Sequence, residues 1–244
     1  MNLGRFSRVQ RGMDARARAL AVVWLAAVAP AGAEPPSRIG ECAERAAGAL
    51  QRRYEAVRDL AARFEQTSRS VALGGPSATA KSSGNVVIAK PGRMRWAYEE
   101  PEPSLVVSDG KQLWIYDPAN REAQRLAVTE AYLSGAAVSF LLGAGEIRRD
   151  FDVSALECAE TSVLLELVPR QPATYERLRA RTDPRSGELL ETTVVDLLGN
   201  TTTVVLSDLR VNRDPDPKLF RFEAPPGVRV VELEAPPEGA PPGP

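Results

Sequence analysis

The chain has 244 residues, of which 43% are hydrophobic, with a formal net charge of −1 and no histidine. A near-neutral to mildly acidic chain is a poor ligand for nucleic acid, and the missing histidine removes the most common general base and metal ligand. We therefore predict no enzyme activity, no metal site and no cofactor.

The first segment of the chain predicts export. Arg16 and Arg18 precede an apolar run, and the small residues Ala31-Gly32-Ala33 follow it. This order of basic, apolar and small residues is typical of a secretory signal peptide, with Met1 or Met13 as its start. The alternative, a membrane anchor, is weaker because the apolar run is shorter than the roughly 20 residues that span a bilayer. We predict a signal peptide over residues 1–33, cleaved near Ala33.

The next segment predicts one long helix from about Glu41 to about Ser68. Its apolar side chains recur every three or four residues, which is the spacing of one helical face. These residues are Ala43, Ala46, Leu50, Tyr54, Val57, Leu60 and Phe64. The segment 72–83 is rich in Gly, Ser and Ala and predicts a flexible connection.

Most of the remaining chain predicts a meander of about ten short antiparallel strands. Met94, Trp96 and Tyr98 alternate in sequence, so a strand would place all three on one face. Asp109-Gly110 predicts a two-residue type I′ hairpin turn, which needs positive φ at both positions.

The strand after that turn has two apolar faces. Trp114 and Tyr116 share one of them, but Leu113 and Ile115 on the other are nearly as apolar. The sequence leaves open which pair points inward.

A second helix interrupts the strands. Residues 129–142 carry Leu133, Phe140 and Leu141 at helical spacing. A sheet of about ten strands should curl, and the two helices are the only predicted elements that could cover its apolar face. We predict a single domain over residues 34–234. The tail, residues 235–244, is dominated by Pro and Gly and predicts disorder.

The two cysteines, Cys42 and Cys158, suggest a disulfide in an exported protein. Two free buried thiols are the alternative. Glu41 stands where a lipid-attachment signal has a small residue, so we predict that Cys42 is not acylated. The acidic cluster Glu99, Glu100 and Glu102 lies beside prolines, which indicates a solvated turn rather than paired catalytic carboxylates.

Several of these segments together resemble the LolA family of periplasmic outer-membrane lipoprotein carriers. The matching segments are Lys90-Pro91, Met94–Tyr98, Val107–Gly110, Leu113–Pro118, Leu206–Leu209 with Asn212, Phe220–Phe222 and Pro225–Val228. Phe64-Glu65-Gln66, at the end of the predicted first helix, also resembles the family.

The resemblance implies a mainly β fold with helices, an unclosed antiparallel β-barrel covered by a helical lid. It also implies a soluble monomeric periplasmic chaperone that shields the acyl chains of a lipoprotein in an apolar cavity. Such a carrier takes its cargo from an inner-membrane ABC transporter of the lipoprotein-release type and passes it to an outer-membrane receptor, if one is present.

The same resemblance implies the site residues. Met94, Trp96 and Tyr98 would line the cavity, together with Trp114 and Tyr116, and the second helix would cover them. Lys90 stands where the family has an arginine that fastens the lid, and lysine keeps the charge but lacks the planar fork of the guanidinium. A related lipid-binding, glycolipid-binding or sensor module with different cargo is the alternative function, while plain core packing is the alternative role of each residue.

Overall fold

Twelve strands form one sheet in the computed structural model, which describes residues 38–128 and 145–233. These residues belong to one compact unit that begins at Pro36. The predicted signal peptide, the predicted second helix with Leu133, Phe140 and Leu141, and the predicted disordered tail lie outside the described residues.

Two α-helices accompany the sheet within residues 38–128 and 145–233. They are α1, Arg38–Ala56, and the short α2, Ile147–Asp150. The strands are β1 Asp59–Arg69, β2 Thr79–Ala89, β3 Arg93–Glu100, β4 Ser104–Asp109, β5 Gln112–Asp117, β6 Glu122–Ala127, β7 Phe151–Cys158, β8 Val163–Pro169, β9 Tyr175–Thr182, β10 Leu189–Asp196, β11 Thr201–Val211 and β12 Arg229–Glu232.

The sheet is open. Its strand order is β12-β6-β5-β4-β3-β2-β1-β11-β10-β9-β8-β7. Neighbouring strands are antiparallel, as predicted, except that β12 runs parallel to β6. Within the described residues β7 pairs only with β8 and β12 only with β6, so these two strands form the edges.

The predicted long first helix is wrong in its second half. Helix α1 ends at Ala56, and Asp59–Arg69 is strand β1 in the middle of the sheet. In this strand Leu60, Ala62 and Phe64 are buried in alternation, which is the period of a strand. Leu60 and Phe64 are four residues apart, and that spacing fits a helix and a strand equally well.

Two predicted connections also differ from the structure. The segment 72–83 is not a flexible connection throughout, because it holds a 3-10 helix, Gly75–Ala78, and the start of β2. The β4–β5 hairpin is present, but its turn is wider than the predicted type I′ turn. Of the turn residues, which the structure describes in full, only Gly110 has a positive φ, 93°. The Asp109 carboxylate instead accepts hydrogen bonds from the backbone of Lys111 and Gln112, both at 2.8 Å.

Helix α1 packs against β7 and β8 and defines the inner face of the sheet. A disulfide joins Cys42 of α1 to Cys158 at the end of β7, with their Cα atoms 6.4 Å apart. The β9–β10 turn lies against the same helix. A Cβ at Gly187 would stand 2.2 Å from the carbonyl oxygen of Ala49, so only glycine fits there. The helix is thereby held at two places along its length.

Apolar residues are buried on both faces of the sheet. The main core joins α1 to the inner face of β1, β2, β8 and β9, and it includes Leu50, Phe64, Val86, Leu165 and Leu178. On the outer face the 3-10 helix Pro217–Phe220 packs on β3 and β4. Phe220 is buried there, and Arg93 lies over its ring at 5.2 Å. Nothing in the sequence pattern indicated this second cluster.

No helix in residues 38–128 and 145–233 is long and apolar enough to cross a membrane.

Candidate functional site

The inner face of β1 and β3 carries a cluster of aromatic side chains. The Trp96 ring centroid lies 4.8 Å from that of Phe64, and the Tyr98 ring meets Phe64 edge to face at 5.1 Å. These three residues and Met94 pack against the main core. Met94, Trp96 and Tyr98 are half-buried rather than buried, so part of each side chain is available for contact.

The cluster depends on a glycine between two aromatic residues. Gly84 of β2 stands directly opposite Phe64 of β1 on one side and Tyr98 of β3 on the other. Because Gly84 has no side chain, the two rings meet above it, although they come from strands about 10 Å apart. Sequence analysis missed Phe64 in this role because it assigned the residue to a helix, and the spacing of Leu60 and Phe64 did not distinguish a strand from a helix.

The strand register settles the question that the sequence left open. Trp96 is opposite Val106 of β4, and Val106 is opposite Ile115 of β5. Residues directly opposite in antiparallel strands share a face. Leu113 and Ile115 therefore lie on the inner face with Trp96.

Trp114 and Tyr116 accordingly lie on the outer face, so the structure does not bring them together with Trp96, as their prediction as cavity residues would require. The ring of Phe222 lies 5.2 Å from each of them, and Arg125 lies 5.2 Å over the Trp114 ring. They belong to the outer cluster that the C-terminal segment covers.

On the inner face of β3 to β6, the side chains in the middle of the strands are uncharged. Charged side chains on this face occur only where a strand ends. The register places these residues on it: Met94, Trp96, Tyr98, Ser104, Val106, Ser108, Leu113, Ile115, Gln124 and Leu126. Arg93 and Arg95 face the other way. The inner face can therefore take an apolar ligand without burying a charge, which would be costly.

The aromatic cluster adds two polar groups to this surface, besides Ser104, Ser108 and Gln124. The Tyr98 hydroxyl donates to Gln66 Oε1 at 3.1 Å, and burial raises the pKa of Tyr98, so the phenol stays neutral. The Trp96 Nε1 hydrogen is buried and has no hydrogen-bond partner among the described residues. A buried donor without an acceptor is uncommon, and it adds a hydrogen-bond donor to this uncharged face.

Lys90 joins the strands to helix α1. Its Nζ donates to the carbonyl oxygen of Tyr54 near the C-terminus of α1, where a helix favours positive charge. Its backbone N–H donates to the Arg58 carbonyl oxygen at 2.9 Å. Burial lowers the pKa of Lys90, with a smaller opposing effect from Glu55.

A second polar joint lies beside it. Asn212 accepts a hydrogen bond from the Arg58 backbone at 2.8 Å and donates to the Ala56 carbonyl oxygen at 3.3 Å. The buried Asp59 carboxylate accepts from the backbone of Arg213 at 2.7 Å. The end of α1 and the end of β11 are thus fixed to each other.

Comparison with known proteins gives a consistent result. Residues 55–223 match the family model described as outer membrane lipoprotein carrier protein LolA. An outer-membrane lipoprotein carrier protein of Legionella pneumophila strain Corby is 30% identical over 190 residues, covering 78% of this chain and 91% of its own. The carrier of Nitrosomonas europaea is 31% identical over 152 residues, covering 62% and 73%. A LolA superfamily crystal structure from Nitrosomonas europaea superposes with a TM-score of 0.41 at 15% identity, covering 74% of this chain and 97% of its own.

Proposed function

Because the chain belongs to the LolA family of outer membrane lipoprotein carriers, we propose that it carries lipoproteins across the periplasm from the inner to the outer membrane. The acyl chains would lie on the inner face of the open sheet. Membership of this carrier family and the mainly β fold do not depend on which cargo the protein binds.

The observation that supports this proposal is the uncharged inner face of β3 to β6. Met94, Trp96 and Tyr98 leave part of their apolar surface available, and Val106 and Ile115 extend that surface to β5. Each acyl methylene removed from water contributes about 0.8 kcal/mol. A face of this kind therefore binds acyl chains without needing a specific polar contact.

The direction of transport requires partners at both ends. Acyl-chain binding on an apolar face is not directional, so release needs a receptor with a better site or a change that opens the face. We propose an inner-membrane ABC transporter of the lipoprotein-release type as donor and an outer-membrane receptor as acceptor. The location would be periplasmic, reached through the predicted signal peptide over residues 1–33.

Lys90 is proposed to fasten the cover over this face. Its contact with the Tyr54 carbonyl oxygen supports the proposal, because α1 covers the inner face of the sheet at β7 and β8. A single ammonium donor replaces the fork that an arginine would present, so this joint would open more readily.

The test is cargo binding in cells. The protein is co-expressed with an acylated lipoprotein and with the same lipoprotein lacking its acylated cysteine, then purified without detergent and examined by mass spectrometry. We expect the acylated form alone to co-purify. Recovery of both forms in equal amounts would contradict the carrier function, and a bound lipid without protein cargo would favour the alternative lipid-binding or sensor module.

A matched pair of variants locates the site. Trp96→Glu places a carboxylate on the inner face, and we expect it to abolish cargo binding while the fold is kept. Arg95→Glu places the same carboxylate on the neighbouring outward position, and we expect cargo binding to remain. Intact binding by Trp96→Glu would show that the cargo lies elsewhere.

A further inference from the structure

Four aliphatic side chains are exposed together at one end of the sheet. Val71 and Leu73 lie in the β1–β2 loop and are 62% and 55% exposed; Leu197 and Leu198 lie in the β10–β11 turn and are 54% and 73% exposed. We refer to these four residues as the aliphatic tip. Scattered exposed leucines are ordinary, but an exposed apolar group in adjacent loops marks an interaction surface.

The two loops of the tip are fixed to each other. The backbone N–H of Val71 donates to Asn200 Oδ1 at 2.9 Å. Asn200 is held in turn by the Asp196 carboxylate, through its backbone at 2.8 Å and its side chain at 2.7 Å. A Cβ at Gly199 would lie 3.8 Å from a Val71 methyl group. The exposed side chains therefore project from a braced pair of loops.

The charged residues nearest the tip are cations, and acidic residues follow further along the strands. The segments 71–78 and 197–200 contain no charged residue. Arg69 at the end of β1 and Lys81 near the start of β2 come next; both are exposed, and neither has an ion-pair partner in the described part of the chain. A strand rises about 3.3 Å per residue, so Glu65 and Glu100, both opposite Ser83, lie about 7 Å deeper than Lys81.

The acidic residue of the β10–β11 turn, Asp196, faces its own turn. The Asp196 carboxylate accepts from the backbone of Leu198 and Asn200 and from the Asn200 side chain. The Asn200 hydrogen bond is the largest cause that holds the pKa of Asp196 below its usual range. Its charge is met by these N–H groups, so Arg69 and Lys81 are the charged side chains that follow the tip along β1 and β2, with Glu65 and Glu100 further from it.

We propose that the aliphatic tip docks on a phospholipid bilayer, with its four side chains among the acyl chains and Arg69 and Lys81 at anionic headgroups. Aliphatic residues followed by cations match the layers of a membrane interface. A protein partner fits less well, because the tip has no aromatic side chain of the kind that dominates protein interfaces. The net charge of the chain is negative, so attraction to anionic headgroups would have to come from Arg69 and Lys81.

The tip is separate from the inner face that would hold acyl chains. Its residues are not among the aromatic cluster or the core side chains that support it. The docking proposal therefore goes beyond cargo binding: it gives the protein a second contact with lipid, at a bilayer rather than with a single lipoprotein.

The test is sedimentation with vesicles. The full-length exported protein is mixed with sucrose-loaded vesicles of phosphatidylethanolamine and phosphatidylglycerol at low salt. We expect Leu197→Ser/Leu198→Ser to bind about tenfold more weakly than the wild type. The control Leu156→Ser/Val168→Ser removes two other exposed aliphatic residues, 49% and 41% exposed, on β7 and β8. We expect that control to bind like the wild type.

Two further variants separate the contribution of the cations from that of the aliphatic side chains. Arg69→Gln/Lys81→Gln should weaken binding to vesicles that contain phosphatidylglycerol and leave binding to phosphatidylcholine vesicles unchanged. Leu198→Trp should strengthen binding to both, because tryptophan favours the interface. Absence of wild-type binding, or equal binding by the wild type and Leu197→Ser/Leu198→Ser, would overturn the proposal. Acylated-lipoprotein binding in solution, measured on the same variants, should be unchanged, so that a failure of the carrier function is seen separately.

Discussion

Phe64 and Tyr98 meet edge to face above Gly84, with ring centroids 5.1 Å apart and planes at 80°. Gly84 stands between them in the register of β1, β2 and β3. This arrangement couples the core to the candidate site, because Phe64 is fully buried while Tyr98 keeps an exposed part. A side chain at position 84 would therefore stand between the rings of Phe64 and Tyr98.

We predict that Gly84→Ala destabilises the fold strongly. A Cβ at this position would lie 2.0 Å from the Ala97 carbonyl oxygen, which is backbone and cannot move aside cheaply. The free energy of unfolding should fall by about 2–3 kcal/mol in urea denaturation. Gly74→Ala is the control, since no atom lies within 4 Å of its Cβ position. A loss below about 0.5 kcal/mol for Gly84→Ala would contradict the packing described.

A second prediction separates the two faces of β5. Ile115→Glu should reduce acyl-chain binding at least about tenfold, because it places a carboxylate on the uncharged inner face. Trp114→Glu should keep binding, because residue 114 faces outward beside Arg125, which can pair with the new carboxylate. Binding is measured by displacement of a fluorescent fatty acid. The opposite ranking of the two variants would place the lipid on the outer face.

Local patterns in the sequence predicted much of this sheet, and long-range contacts account for what they missed. The alternation of Met94, Trp96 and Tyr98 predicted a shared face correctly, because alternation is a property of one strand. The sequence could not show which pair on β5 points inward, because both pairs are apolar. Trp114 packs on the outer face against Phe222, which is more than a hundred residues later in the chain. The family prediction was confirmed, whereas the cavity role of each residue remains a prediction.

Lys90 provides a third prediction, on the joint between α1 and the strands. Lys90→Met keeps most of the side-chain stem but removes the donor to the Tyr54 carbonyl oxygen. We expect the last turn of α1 to lose about 1 kcal/mol of protection, seen as faster amide hydrogen exchange at residues 50–56. Lys90→Arg should give at least the protection of the wild type, because arginine presents a fork of donors. Lys111→Met, at an exposed lysine, is the control, and equal exchange in both methionine variants would refute the fastening role.

The disulfide gives a fourth prediction. Cys42 and Cys158 close a loop with a sequence separation of 116 residues, for which chain entropy predicts a stabilisation of about 4–5 kcal/mol. Cys42→Ala/Cys158→Ala should lower the urea midpoint accordingly, and reduction of the wild type should lower it by a similar amount. An unchanged midpoint in the double variant would mean that the bond does not constrain the unfolded chain.

A fifth prediction concerns the stability at high pH. Burial raises the pKa of Tyr54 from 10.0 to about 12. Between these values the unfolded chain loses the phenolic proton before the folded protein does, so the folded state binds more protons and its stability falls as pH rises. The contribution of Tyr54 to the free energy of unfolding is fully present below about pH 10 and amounts to roughly 2–3 kcal/mol.

The measurement compares the wild type with Tyr54→Phe in urea denaturation at about pH 9 and about pH 11.5. Other titrating groups affect both proteins equally, so the difference between their unfolding free energies isolates Tyr54. We expect the wild type to lose about 2 kcal/mol relative to Tyr54→Phe across this range. A difference that stays constant with pH would show that the Tyr54 hydroxyl reaches water, and that the C-terminal turn of α1 is packed less tightly against β10 than the structure shows.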